Sequence, residues 1–291
     1  MKKFGAPAQS FSFSMAAAQG IDYARRVFVS LSNWLVLWRQ RRVLLELTRR
    51  EISLSTRGTL LGWLWLVLGP LALLAAYTLV FAVIMPASGE GTSWSSTSAR
   101  IFAALIPFGV FTDALTRSPL LLVAHASYVK KMIFPLELLP AARCLAALFF
   151  SLVNLALLLI FEAALGQASL MWLLTPVLYL PLLLLVLGVS WFLSALGVYL
   201  RDTAHLCSLL ATLLLFLTPV FYPLAMVPAH LRFWFWFNPL IGIIEAFRAA
   251  LVQGIWPDWP SWFISLAYGG LVCVAGFTWF QLTRRGFADV V

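Results

Sequence analysis

Residues 60–85 read LLGWLWLVLGPLALLAAYTLVFAVIM, a run of 26 positions without one charged side chain. A helix rises about 1.5 Å per residue and the hydrocarbon core of a bilayer is about 30 Å thick, so this run is long enough to cross it. Five further apolar runs follow at 101–123, 143–165, 173–198, 206–221 and 261–282, the fifth being short and ended by Pro219. The whole chain agrees: 62% of its 291 residues are hydrophobic and 11% charged, where a soluble domain carries about half and about a quarter. A soluble globule is excluded, and so is a disordered chain, because so much apolar surface has no stable place in water. An all-α polytopic membrane protein with six transmembrane helices is expected.

The charge pattern orients those helices. Ten of the 20 basic residues precede Thr59, and the net charge is +9. Positive charge crowded at the mouth of the first apolar run is the mark of membrane orientation, not of nucleic-acid binding. With six spans and an inside N-terminus, 17 basic residues fall on the cytoplasmic side and three (Arg100, Arg232 and Arg248) outside, which places both termini in the cytoplasm. A seventh span within 223–259 would carry Arg284 and Arg285 outside. The interrupted stretch 233–255 is therefore expected to dip into the outer leaflet and return, with Gly242 and Gly254 near its bends. Asn238-Pro239 breaks it, and backbone at membrane depth needs protein or water to satisfy it. The competing arrangement is a loop in the headgroup layer, held by Trp234, Trp236, Trp256, Trp259 and Trp262 as an aromatic belt.

The remaining segments follow from composition and period. Residues 1–41 read as a cytoplasmic tail, disordered in part, because Pro7, Gln9 and several serines break up any signal-like apolar core. Residues 42–59 read as an amphipathic interface helix. Arg42, Glu46, Arg49, Arg50, Ser53 and Arg57 share one side at helical period, while Leu44, Leu45, Leu47, Ile52 and Leu54 take the other. The transmembrane domain is expected over 60–282 and a cytoplasmic C-terminal tail over 283–291.

Chemistry is sparse. Lys2, Lys3, Lys130 and Lys131 are the only lysines and none follows a glycine, so no phosphate-binding G-x-x-x-x-G-K-[ST] loop exists. His125, His205 and His230 stand at no metal spacing, and Cys144, Cys207 and Cys273 at no disulfide or zinc spacing. Neither a catalytic constellation nor a cofactor or metal site is expected on this chain. The ionisable groups within or beside apolar runs are Asp113, Arg117, Glu162, Glu245 and Arg248. Asp113 with Arg117, and Glu245 with Arg248, are four and three residues apart, so on helices each couple can pair. A membrane-embedded glycosyltransferase or acyltransferase would need acids or histidines clustered at one face. A secondary transporter would show paired repeats with broken helices, whereas the breaks here lie in the last third.

Several blocks carry a family likeness. They are Leu47-Thr-Arg-Arg-Glu-Ile52; Thr56-Arg-Gly-Thr-Leu-Leu-Gly-Trp-Leu-Trp65 with Pro70, Tyr77 and Phe81; Lys130-Lys-Met-Ile-Phe-Pro-Leu-Glu-Leu-Leu-Pro140; Tyr199-Leu-Arg-Asp202; Leu217-Thr-Pro-Val-Phe-Tyr-Pro223; Phe237-Asn-Pro239; and Phe247-Arg248. In order and spacing, over about residues 45–290, the set resembles the permease subunits of ABC-2 type polysaccharide exporters. One departure is His125-Ala-Ser127, where the family commonly places Asn shortly before the lysines.

The resemblance implies a homodimer in the bacterial cytoplasmic (inner) membrane, driven by two copies of a separate ABC ATPase that holds the ATP and Mg. The cargo it implies is a lipid-linked glycan of O-antigen type; export of a drug or small lipid is the alternative. Coupling to the ATPase is expected at Ser127, Lys130, Lys131, Phe134 and Glu137 and at Arg201 and Asp202. The first and fifth spans are implied nearest the dimer axis, so Tyr77, Phe81, Phe216, Phe221 and Tyr222 are the aromatics expected along the channel. Sugar rings present apolar C–H faces that stack on such side chains without a fixed hydrogen-bond register. Asn238, Pro239, Glu245 and Arg248 are expected to form a gate.

Overall fold

The computed structural model describes residues 35–56, 60–80, 94–130, 134–222, 226–228, 230 and 238–290. Residues 1–34 of the tail expected over 1–41, and Phe81, Lys131, Trp234 and Trp236, lie outside these residues, as does the end of the first apolar run. Two compact units are present, 1–41 and 42–291. In the first, the described element is the short helix α1, Leu35–Arg39, beside which the Arg41 guanidinium stands over the Trp38 ring at 5.5 Å.

All regular structure among the described residues of the second unit is helical. It runs through α2 (Arg41–Thr56), α3 (Trp65–Tyr77), α4 (Trp94–Ala124), α5 (Ala126–Val129), α6 (Leu138–Ala164), α7 (Thr175–Tyr199) and α8 (Thr203–Leu217). After them come α9 (Leu240–Arg248), α10 (Trp259–Thr283) and α11 (Phe287–Val290). Five stretches are long and apolar enough to cross a membrane: Gly62–Val80, Ser95–Ala124, Leu138–Ala164, Leu170–Tyr199 and Trp259–Val290. The fifth expected span, α8, is a shorter apolar helix of 15 residues, about 22 Å long at the usual rise.

Two helices start more than a turn ahead of the hydropathic reading. The helix of the second run begins at Trp94, not 101, because Ser95, Ser98 and Ala99 are buried and keep the polar turn helical. That of the third begins at Leu138, not 143, with Leu138 to Cys144 all packed inside. Hydropathy marks where water is excluded by lipid; packing against neighbouring helices extends the helix beyond that point.

α7 is the centre of the unit, packed between α10 on one side and α4 on the other, with α6 against both α4 and α7. In lipid the helices gain little from burying apolar surface, so close backbone approach supplies the contact. A Cβ at Gly276 would overlap the Gly188 carbonyl, and one at Gly197 the Pro119 carbonyl. Beside these approaches Trp191 meets Phe277 edge to face at 4.9 Å. Hydroxyl pairs, Ser118 with Ser190 at 2.8 Å and Ser151 with Tyr179 at 2.7 Å, satisfy buried polar atoms between helices. α3 and α8 lie at the edge of this core: Leu74 is the one buried residue of α3, and α8 packs on α4 with Thr203, Cys207 and Ala211 buried while Leu206, Leu209, Leu213 and Phe216 are exposed.

Candidate functional site at the two polar ends

The polar side chains of the unit collect at two ends. At the end carrying α2, the helix turns its apolar Leu44, Leu47 and Ile52 partly inward, while Leu45 and Leu54 stay exposed. Glu51 also points inward and meets Arg143, whose Nη1 donates to Glu51 Oε2 at 3.3 Å. The same guanidinium forks onto Asp113, Nε donating to Oδ2 at 3.0 Å and Nη2 to Oδ1 at 2.5 Å. Arg117 adds the expected contact to Asp113 Oδ1 at 3.0 Å but is largely exposed. His125 Nε2 stands 3.8 Å from Glu51 Oε1. The expected Asp113–Arg117 couple is thus one edge of a larger network, and Arg143 is its buried member.

α5 and the turn after it belong to this end. Arg50 Nη1 donates to the Tyr128 hydroxyl at 2.7 Å, and Phe134, half-buried, stacks on Tyr128 at 4.8 Å. Ser127 and Lys130 are exposed, as are Arg201 and Asp202 in the turn between α7 and α8. Glu137 is not: it is buried, and its Oε1 accepts from Arg284 Nη1 at 2.6 Å and Gln281 Nε2 at 2.7 Å. Its backbone carbonyl accepts from Trp191 Nε1 at 3.1 Å, while Arg284 Nη2 donates to the Phe134 carbonyl at 3.2 Å. Glu137 therefore ties the loop before α6 to the end of α10 and offers no surface to a partner. Spacing along the chain missed Glu51, Arg143 and Arg284; the hint that existed was three charges beside apolar runs, with nothing to pair them.

At the opposite end α9 carries the second network. Arg248 Nη1 donates to Glu245 Oε1 at 2.8 Å, as the three-residue spacing predicts. Its other donors reach backbone: Nη2 bonds the Val220 carbonyl at 2.7 Å and Nε the Arg100 carbonyl at 3.2 Å. One buried guanidinium thereby joins α9, the start of α4 and the segment after α8. Asn238 stands two residues before α9, its Oδ1 accepting from Leu240 N at 3.1 Å while Nδ2 donates to Thr218 Oγ1 at 2.9 Å. Pro239 follows at the helix start. α9 continues as a π-helical turn, Ala249–Gln253, that closes on Gly254 at φ +66°. There the Leu251 carbonyl accepts from Trp172 Nε1 at 3.1 Å.

The channel aromatics divide. Tyr77 and Phe221 meet at 5.5 Å, and the Tyr222 hydroxyl donates to the Phe216 carbonyl at 2.9 Å, leaving the Phe216 ring 64% exposed. Of the tryptophans proposed for a headgroup belt, Trp256 is exposed, whereas Trp262 is buried against Trp259 and Phe263. Trp262 is a packing residue because it starts the face of α10 that turns into the protein. Among the described residues no group of three or more His, Cys, Asp or Glu could hold a metal, and the three cysteines are free and buried.

The sequence profile of the ABC-2 type transporter family matches residues 42–252. The O-antigen export system permease protein of Myxococcus xanthus is 27% identical over 259 residues, covering 88% of this chain and 97% of that protein. One of the same description from Klebsiella pneumoniae is 24% identical over 253 residues, 86% of this chain and 95% of its own. The polysialic acid transport protein of Escherichia coli is 25% identical over 207 residues, 70% of this chain and 79% of its own.

Proposed function

Since the chain belongs to the ABC-2 type transporter family, we propose that two copies of it form the path by which a lipid-linked polysaccharide of O-antigen type crosses the cytoplasmic membrane. Two copies of a separate ATPase drive the movement from the α2 end, which faces the cytoplasm. The observation that carries the reading is the cross-bracing of that end. Arg50–Tyr128, Glu51–Arg143–Asp113 and Arg284–Glu137 link α2, α5, α4, α6 and α10, so a push delivered at one loop reaches several spans together. The chain has no nucleotide-binding loop of its own and needs such a push from outside.

Docking falls to the exposed members of the expected set, Ser127, Lys130, Arg201 and Asp202, with Phe134 behind them. The apolar faces of α3 and α8 meet lipid or the second copy, which brings Tyr77, Phe216, Phe221 and Tyr222 toward the path. The polysaccharide cargo rests on the likeness to glycan-export permeases at nearly full length.

Deleting the chain from its host tests the reading. Surface glycan is expected to vanish while lipid-linked glycan accumulates inside. Affinity-purified chain should bring down an ATPase in equal amount, and Lys130→Glu with Arg201→Glu should release it while membrane abundance holds. Surface glycan at the wild-type level in the deletion strain would overturn the proposal.

A further inference from the structure

Between α9 with its π-helical turn and the first part of α10 lies a groove of about 520 Å³, within the range of roughly 300–1,000 Å³ that small-molecule sites occupy. α9 and α10 run antiparallel about the Gly254 turn. Gln253 and Asp258 thus mark the joined end of the groove and Asn238 and Tyr268 its far end, with Glu245 and Ser265 between. A hydrogen-bonding group stands at every level. The walls between these groups are apolar, from Pro239, Ile241, Ala246, Ala249, Ile255 and Ile264, and suit the C–H faces of a ring.

The charges narrow the ligand further. Both charged side chains in the lining are carboxylates, and no Lys or Arg is among its described residues. Arg248 is turned away, its donors spent on Glu245, Val220 and Arg100. A phosphate or an acidic sugar would meet like charge. Asn238, Ser261 and Ser265 bond within the protein, whereas Glu245 and Asp258 each use one oxygen, Oε1 accepting from Arg248 and Oδ2 from the Ser261 hydroxyl, and keep the other for a ligand. Acceptors so placed suit a ligand rich in donors. Trp256, exposed at the joined end, adds a flat apolar face of the kind that packs on C–H surfaces.

We propose that this groove binds an uncharged sugar unit of the exported glycan at the end opposite α2. The inference rests on the glycan-export reading and adds a second contact for the polymer, distinct from the aromatics of α3 and α8. The free carboxylate oxygens of Glu245 and Asp258 take the ring hydroxyls, and Trp256 covers one ring face. Shallow, partly exposed binding of this kind holds a polymer between strokes and still releases it.

The cysteines of the chain are buried, which makes added ones readable by a membrane-impermeant maleimide on intact cells. Gln253→Cys and Ile255→Cys, both lining the groove, are the reporters, and Gln167→Cys, exposed beyond the end of α6, is the control. Each is expressed in a glycan-producing strain and in its isogenic partner lacking the first sugar transferase. With glycan at about ten times its Kd, reporter labelling in the producing strain should slow about tenfold, the control being unchanged. Adding Asp258→Asn and Tyr268→Phe to Ile255→Cys should abolish that protection. Equal labelling in the two strains, with both reporter variants still displaying surface glycan, would overturn the inference. So would protection that is the same in both strains and lost on detergent extraction, which identifies a lipid in the groove. Neither outcome touches the export reading, which stands or falls on the deletion strain's surface glycan.

Discussion

Arg143 holds the α2 end together at the scale of single residues. Its side chain is 5% exposed and Asp113 21%, so the forked pair is mostly withdrawn from solvent. Removing one partner of such a pair strands the other and costs about 3–5 kcal/mol. Arg143→Gln should therefore lower the unfolding temperature in detergent and the membrane abundance, and Arg143→Lys should recover only part, since an ammonium cannot fork onto both oxygens of Asp113. Wild-type thermal stability of Arg143→Gln would contradict this account. Glu245 and Arg248 at the other end are expected to act in closure. Glu245→Gln should keep abundance and impair export or leak ions. Arg248→Gln should do both and also lower abundance, because it releases the carbonyls of Val220 and Arg100. Exchanging the two charges should not rescue export, since a carboxylate at 248 would face those carbonyls. Normal export and tightness in both single variants would remove the gate. Spacing alone revealed Glu245–Arg248 and Asp113–Arg117, because helix geometry fixes which near neighbours meet. Arg143–Glu51, 92 residues apart, had no such rule behind it.

At the scale of elements, the helices of the core were readable because lipid demands long apolar runs that satisfy their own backbone. What hydropathy could not read was their packing. Gly188 and Gly276 look like weak points of two helices until each proves to lie against the facing backbone, Gly188 on Val272 and Cys273 and Gly276 on Gly188. α8 was readable as a short span, but its outward face was not, since Leu206 and Leu209 would suit a core equally well. The aromatics of α3 and α8 make a test at this scale. If they line the path, stacking contributes modestly per ring, about 1–3 kcal/mol by analogy with bases on aromatic side chains, and a moving polymer must also let go. Phe216→Ala alone should slow export mildly. Tyr77→Ala and Phe221→Ala should be less than additive because the two rings touch at 5.5 Å. The triple change should abolish surface glycan at unchanged membrane abundance. If these rings are packing residues instead, the single changes should lower abundance, by roughly 3–5 kcal/mol of stability each for a buried ring, and surface glycan should fall only in proportion.

For the whole molecule, charge count and three-dimensional contacts sort the same residues in the same way. Counting along the sequence assigned Arg117, Arg143 and Arg284 to the cytoplasm and Arg100 and Arg248 to the outside. In the structure Arg117 and Arg143 share Asp113 at the α2 end, and Arg284 closes the loop before α6 there. Arg248 bonds the Arg100 carbonyl at the opposite end. Five stretches are long enough to cross, and we propose that α8 is a sixth, short crossing, which puts Arg284 on the side of Arg117 and Arg143. The 22 Å or so of α8 then requires either local thinning of the bilayer or cover from neighbouring protein, and the proposed second copy against its exposed leucines would supply that cover. The excess of basic residues at the α2 end leads us to propose that this end, and with it both termini, faces the cytoplasm. Ser127→Cys and Gln167→Cys test it on the background of buried native cysteines. An impermeant maleimide should label Gln167→Cys on intact cells and Ser127→Cys only after permeabilisation, and a reporter fused after Val291 should behave as Ser127→Cys does. Labelling of Ser127→Cys from outside would invert the molecule. A Val291 fusion on the opposite side from Ser127 would leave an odd number of crossings between them and remove the six-span arrangement.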